Sequence, residues 1–189
     1  MNLPNKITVS RIFGTLLFVI LASYPETWSN HLLVWRIGYV VGFLSAVSDW
    51  FDGYYARKLN MVTDFGKLMD PLADKVFTIA CFVIFSAKGY IPAWITVAIA
   101  AREFTVTGLR TLAASKGEVI EAKNIGKVKT TLQMLVLALG GCFWVEWLPT
   151  EGPIYQYIWP GVLYSIAALT IYSGWEYMWN GRQLYMQDT

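Results

Sequence analysis

LLVWRIGYVVGFLSAV, residues 32–47, runs without a break into SDWFDGYYARKLN, residues 48–60. The first part is apolar apart from Arg36 near its start. It is shorter than the roughly 20 residues a helix needs to cross a hydrocarbon core. It gains that length only by continuing into the second part, which carries Asp49, Asp52, Arg57 and Lys58. Lipid does not tolerate such side chains, so the polar half must face a cavity inside a helical bundle. The pattern recurs along the chain. Ile7–Tyr24, Val76–Ala87, Ile91–Ala101, Leu132–Trp147 and Ile154–Trp179 are further apolar runs. The polar stretches Gly66–Lys75, Arg102–Ala114 and Asn124–Thr131 adjoin three of them. The sequence therefore predicts an all-α fold: a polytopic integral membrane protein with a six-transmembrane-helix bundle. Met1–Lys6, with Leu3 and Pro4, is expected as a short N-terminal interfacial segment.

Composition agrees. Of 189 residues, 56% are hydrophobic and 15% charged, with a net charge of +2. The length suits one domain over 1–189, and the charge excludes a disordered tail, a nucleic-acid-binding arm and a global basic field. No nucleic-acid partner is expected; membrane lipids are. Cys81 and Cys142 lie far apart in apolar stretches and read as small buried hydrophobes. If the N-terminus is cytoplasmic and all six runs cross, nearly every Lys and Arg falls on the cytoplasmic side. Arg36 and Lys88 alone fall outside, so both termini are placed in the cytoplasm. Trp28, Trp35, Trp94, Trp147 and Trp159 then mark the opposite interface. No small-x-small site follows the first run, and Arg11 sits beside it, so it reads as a span rather than a cleaved signal.

Within 48–60, Asp49, Asp52, Gly53 and Ala56 are spaced i, i+3, i+4, i+7, which places them on one helical face. Gly66, Asp70 and Asp74 share a face of the next helix. The short loop between predicts antiparallel neighbours whose carboxylates face each other. Pro71 costs one backbone hydrogen bond and is tolerable near a helix start. Four carboxylates brought together repel one another and are costly to desolvate unless cations offset them. Oxygen ligands without His or Cys suit a hard ion, Mg²⁺ first, with Mn²⁺ or Ca²⁺ able to substitute. Two such ions are a common device for clamping a diphosphate during displacement at phosphorus. Gly53, Ala56 and Gly66 leave room for a ligand near the backbone.

The pattern D-x-x-D-G-x-x-A-R, eight residues, G-x-x-x-D-x-x-x-D resembles without departure the signature of the CDP-alcohol phosphotransferases. The resemblance implies six-helix membrane proteins, usually homodimers, that move a phosphatidyl or similar group from a CDP-linked donor to an alcohol and release CMP. It implies that Asp49, Asp52 and Asp70 ligate two metals, and that Asp74 is both a ligand and the base for the acceptor hydroxyl. Asp52, Gly53, Ala56, Arg57 and Gly66 would hold the CDP portion, with Thr8 within reach of the phosphates.

Basic residues bear on the acceptor. Arg102 and Arg110 lie eight apart near one helical face, and Lys127 and Lys129 open the next helix. Singly they read as membrane-side anchors; as a set they suit an acceptor that carries its own phosphate. Ala101-Arg-Glu-Phe-Thr-Val-Thr-Gly-Leu-Arg110 and Ile125-Gly-Lys-Val-Lys-Thr130 resemble one subgroup, the bacterial phosphatidylglycerophosphate synthases. So do Leu3–Thr8 with Arg11, and Ser173-Gly-Trp-Glu-Tyr177. That likeness implies CDP-diacylglycerol as donor, sn-glycerol 3-phosphate as acceptor, and a cytoplasmic active site in the bacterial inner membrane. Arg102, Arg110, Lys127 and Lys129, with Arg11, would then hold the acceptor phosphate.

The rival readings are a phosphatidylinositol-phosphate- or cardiolipin-forming member of the same family, a membrane prenyltransferase, and a cation channel or transporter. The prenyltransferase leaves Gly53, Ala56 and Arg57 unexplained, and a channel should spread its acids across the membrane rather than cluster them at one end. His31 reads as non-catalytic. Gly38-x-x-x-Gly42 reads as a close helix crossing, and Glu103 as a support for Arg102.

Overall fold

The computed structural model describes residues 3–58, 64–117 and 124–182. Among these residues the chain forms six long α-helices: α1 Leu3–Ala22, α2 His31–Lys58, α3 Asp64–Ala87, α4 Ala93–Ser115, α5 Asn124–Trp144 and α6 Trp159–Asn180. The fold is all-α. Within the described residues, each polar stretch expected to extend an apolar run is helical and continuous with it. α2 carries the run at 32–47 on into residues 48–58, and α3 begins in the acidic stretch and ends in the third run. Pro71 does not interrupt α3.

Leu3–Lys6 is helical and opens α1, continuous with the first run. Pro4 lies in the first turn, where its missing N–H has no intrahelical partner to lose, and its fixed φ suits a helix start.

Two other boundaries have clear local causes. α3 ends in a turn in which Gly89 takes a φ of 82°. There Tyr90 N–H bonds the Phe85 carbonyl at 2.9 Å and Gly89 N–H bonds Ser86 at 3.0 Å, the paired bonds of a Schellman stop. Before α6 the obstacle is Pro160, whose ring excludes the usual position of the Gln156 carbonyl. The chain meets it with a π-helical turn, Ile154–Ile158, in which Trp159 N–H reaches back to Ile154. Pro160 then falls in the first turn of α6.

By length and apolarity, one segment among the described residues could cross a membrane unaided, Ile154–Asn180. Ser10–Ala22, His31–Val47, Lys75–Ala87 and Val128–Trp144 are shorter apolar stretches. All six helices expose large apolar side chains, including Phe13, Leu33, Val83, Val97, Leu135 and Ile171.

The chain divides into two compact units. The first comprises residues 1–90 with 141–148. In it α1 packs against both α2 and α3. Trp144 is its hub, buried with its ring centroid 6.2 Å from Phe18, 5.7 Å from Trp35 and 5.8 Å from Phe85. Small residues permit the close approaches. A Cβ on Gly38 would meet Leu21, one on Gly42 would lie 2.9 Å from the Phe18 ring, and one on Gly141 would overlap the Tyr39 ring. The Gly38–Gly42 spacing thus serves the α1–α2 crossing, as its pattern suggests.

Arg36 and Lys88, the two cations expected on the outer side, have structural partners in this unit. Arg36 Nε donates to the Val145 carbonyl at 3.2 Å, just past the end of α5. There it satisfies an orphan carbonyl at the negative end of the helix dipole. The Lys88 ammonium lies 3.8 Å from the Trp35 ring centroid. Burial pulls it below the ordinary lysine value, against the opposing effect of the Glu26 carboxylate.

The second unit comprises residues 91–140 with 149–189. In it α4 packs against α6, and its buried residues include Ile95, Ile99, Val106, Leu163, Ile166 and Ala167.

Gly42→Ala should push against a Phe18 ring already confined by Phe77 and Trp144. Overpacking of this kind costs about 1–3 kcal/mol. The thermal midpoint of the purified protein in detergent should fall by several degrees. Gly161→Ala, where a Cβ meets open space, should leave it unchanged or raise it.

Candidate active site

The acidic residues lie on two helices of the first unit. Asp49, Asp52, Gly53, Ala56 and Arg57 fall in the last three turns of α2. Gly66, Asp70 and Asp74 fall in the first three turns of α3. Both stretches are helical, so the i, i+3, i+4, i+7 spacing on α2 and the i, i+4, i+8 spacing on α3 each define one face. The side chains of all eight lie outside the described residues, as do those of Thr8 on α1 and Lys127 on α5. Arg11 is half-buried on α1, and its carbonyl accepts a hydrogen bond from the Thr15 hydroxyl at 2.9 Å. Among the described residues no cluster of His, Cys, Asp and Glu could hold a metal ion.

Four of the cationic residues lie in the second unit, and the side chains of Arg102, Arg110 and Lys129 are placed. Arg102 is on the middle turns of α4, Arg110 two turns further on, and Lys129 on the second turn of α5. Glu103 joins two of them: its Oε1 accepts from Arg102 Nη1 at 3.3 Å and from Lys129 Nζ. Lys129 is 1% exposed. A lysine so buried must be paired, since an isolated ammonium in a low-dielectric interior would lose its proton rather than remain charged. Glu103 is thus a carboxylate partner shared by Lys129 and Arg102.

α6 supplies the other contacts. Ser173 Oγ accepts from Arg102 Nε at 3.3 Å, and its own hydroxyl donates to the Thr170 carbonyl at 3.0 Å. Tyr177 Oη accepts from Arg110 Nε at 2.8 Å, with its ring centroid 5.4 Å from the guanidinium carbon. Gly174 lets the Arg102 stem lie close to α6, since a Cβ there would come within 3.1 Å of Arg102 Cγ.

Of the cations expected to bind an acceptor phosphate, the structure links Arg102 and Lys129 through Glu103 and holds Arg110 separately on Tyr177. It gives Lys129 an internal counter-ion. Sequence reading did not assign roles to Ser173, Tyr177 or the buried Gln133. The available signal was spacing: Thr170, Ser173 and Tyr177 are polar interruptions at i, i+3 and i+7 of an apolar run, and Gln133 lies four residues after Lys129. The Gln133 amide nitrogen and the Thr170 hydroxyl are buried without a hydrogen-bond partner among the described residues.

Comparison with known proteins bears on the whole chain. The family model described as CDP-alcohol phosphatidyltransferase matches residues 1–172. Three relatives share the name CDP-diacylglycerol–glycerol-3-phosphate 3-phosphatidyltransferase. The protein of Bacillus subtilis (strain 168) is 38% identical over 191 residues, covering 93% of each chain. That of Rickettsia felis is 37% identical over 177 residues, again covering 93% of each. That of Escherichia coli (strain K12) is 34% identical over 182 residues, covering 94% of this chain and 93% of the relative. With the acidic signature on two adjacent helices and a match over most of its length, this chain belongs to the CDP-alcohol phosphatidyltransferase family.

Proposed function

We propose that the protein transfers the phosphatidyl group of CDP-diacylglycerol to sn-glycerol 3-phosphate, giving phosphatidylglycerophosphate and CMP. The observation that carries this reading is the shared name of relatives aligned over about nine-tenths of the chain. The α4 arginines add physical support, because two guanidiniums held by neighbours suit an acceptor that brings its own phosphate.

The donor set fits a hard divalent metal: Asp49 and Asp52 on α2, with Asp70 and Asp74 on α3, supply carboxylate oxygens and neither His nor Cys. When bound, two Mg²⁺ ions, or Mn²⁺ in their place, would stabilise negative charge on the diphosphate as CMP leaves. The chain's own residues do the rest. Asp74 takes the proton of the acceptor hydroxyl, whose oxygen forms a bond to the phosphatidyl phosphorus as the bond from that phosphorus to the CMP oxygen breaks. Gly53, Ala56 and Gly66 leave space for the CDP portion, with Asp52, Arg57 and Thr8 on its polar groups. Arg102 and Arg110, with Lys127 and Arg11, hold the acceptor phosphate, and Lys129 acts beside them through Glu103.

The same reading makes residues 1–189 one membrane domain that spans the bacterial inner membrane six times and works as a homodimer. Both termini and the active site face the cytoplasm. Support comes from the positive-inside bias, from helices of 20 to 28 residues, and from the apolar side chains that each helix exposes.

The defining assay is CMP release by the purified protein with CDP-diacylglycerol, Mg²⁺ and a panel of acceptors. Glycerol 3-phosphate should be used, and free glycerol and inositol phosphate used poorly; equal turnover of glycerol would sink the acceptor assignment. Asp70→Asn should abolish activity while the protein still inserts in the membrane, and a chelator should do the same reversibly. Full CMP release in excess chelator would exclude metal dependence.

Asp74→Asn should lower kcat far more than it weakens CDP-diacylglycerol binding, because the carboxylate is needed when the hydroxyl attacks. An equal fall in both would make it chiefly a ligand. Arg110→Ala should raise the KM for glycerol 3-phosphate roughly tenfold to a hundredfold, the value of one charge-assisted phosphate contact. The KM for CDP-diacylglycerol should hardly move, and Arg110→Lys should recover only part of the loss.

A further inference from the structure

We infer that Ser173 and Tyr177 of α6 are positioning residues that set the Arg102 and Arg110 guanidiniums for the acceptor's phosphate. This rests on reading those arginines as phosphate ligands. Four features of the geometry point the same way. First, the two hydroxyl residues are four apart on α6, so they share a face, and their partners lie two turns apart on α4. Second, each hydroxyl takes the same donor, Nε, of its arginine. A bond at Nε fixes the plane of the guanidinium: on Arg110 it leaves the terminal nitrogens to engage phosphate oxygens, and on Arg102, whose Nη1 also meets Glu103, it leaves Nη2 to do so. Third, both hydroxyl residues are buried, Ser173 at 4% and Tyr177 at 9% exposure, so these bonds are shielded from competing water. Fourth, the Ser173 hydroxyl is itself fixed by donation to the Thr170 carbonyl, which aims its lone pairs at Arg102.

An arginine side chain is costly to order, since it loses much rotamer freedom when a ligand immobilises it. A hydroxyl that holds it beforehand moves that cost from binding to folding, and the benefit appears as tighter acceptor binding. Neither hydroxyl needs to touch the acceptor. Their effect should therefore be confined to acceptor binding and should vanish when the arginine they hold is gone.

The test uses the full-length protein in mixed micelles of detergent and CDP-diacylglycerol with Mg²⁺, following CMP release against glycerol 3-phosphate concentration. Tyr177→Phe keeps the ring beside Arg110 and removes the oxygen; Ser173→Ala removes the other. Each should raise the KM for glycerol 3-phosphate roughly threefold to tenfold, the scale of one hydrogen bond. The kcat, the KM for CDP-diacylglycerol and the thermal midpoint should change by less than twofold or by less than a few degrees. In an Arg110→Ala background, Tyr177→Phe should add nothing, whereas Ser173→Ala should keep its effect. The inference fails if Tyr177→Phe acts in full without Arg110, if both variants leave the acceptor KM unchanged, or if they lower kcat and thermal midpoint together. If Arg110→Ala itself leaves the acceptor KM unchanged, the phosphate reading fails instead. If Arg110→Ala raises it and neither hydroxyl variant does, only the positioning role is lost.

Discussion

One carboxylate governs the second unit. Glu103 accepts from Arg102 and from Lys129, and Lys129 is buried. Taking an ammonium out of water is expensive, and a partner must be built into the fold before it can stay charged there. Glu103 therefore ties α4 to α5 and, through Arg102 and Ser173, to α6. The arrangement adds a constraint as well as a contact. Removing the acid would take from the buried lysine the carboxylate that meets its ammonium, and from Arg102 one of its anchors. The positions of Arg102 and Lys129 thus depend on a residue of opposite sign.

The first unit solves a different problem by close packing. Gly38 and Gly42 bring α2 against α1, and Gly141 brings the end of α5 against Tyr39. Aromatic rings fill the space around Trp144. Where lipid surrounds a bundle, little hydrophobic force drives helices together, so van der Waals contact at small residues carries more of the load. Two polar contacts here serve helix ends: Arg36 on the Val145 carbonyl and the Trp35 indole on the Tyr24 carbonyl at 3.0 Å.

Much of this was legible in the sequence. The shortfall in length of the run at 32–47 called for a helix that continues through Asp49 and Asp52, and α2 does so to Lys58. The Gly38–Gly42 spacing marked a helix crossing, although nothing in it named α1 as the partner. Periodicity reports which residues share a face and is silent on what faces them. That is why Glu103 could be paired with its neighbour Arg102 but not with Lys129, 26 residues away. The Arg102–Ser173 and Arg110–Tyr177 bonds span 71 and 67 residues, so the polar spacing along α6 marked a face but not its partners. At the N-terminus Leu3–Lys6 of the expected interfacial segment is helical: Pro4 is a good helix starter and α1 begins at Leu3. The π-helical turn before Pro160 shows the same limit: the proline announces a disturbance, and the surrounding packing decides its form.

α2 has 28 residues, which at 1.5 Å per residue is a rod of about 42 Å. A bilayer's hydrocarbon is about 30 Å thick. In the proposed orientation the surplus places the Asp49–Arg57 turns at the depth of the lipid headgroups. A lipid donor reaches that plane by lateral diffusion, while a soluble acceptor arrives from the aqueous phase. The two substrates are then measured on different scales, mole fraction in the bilayer for one and molarity in water for the other. Diluting the donor with inert lipid at constant bulk concentration becomes a kinetic variable in its own right.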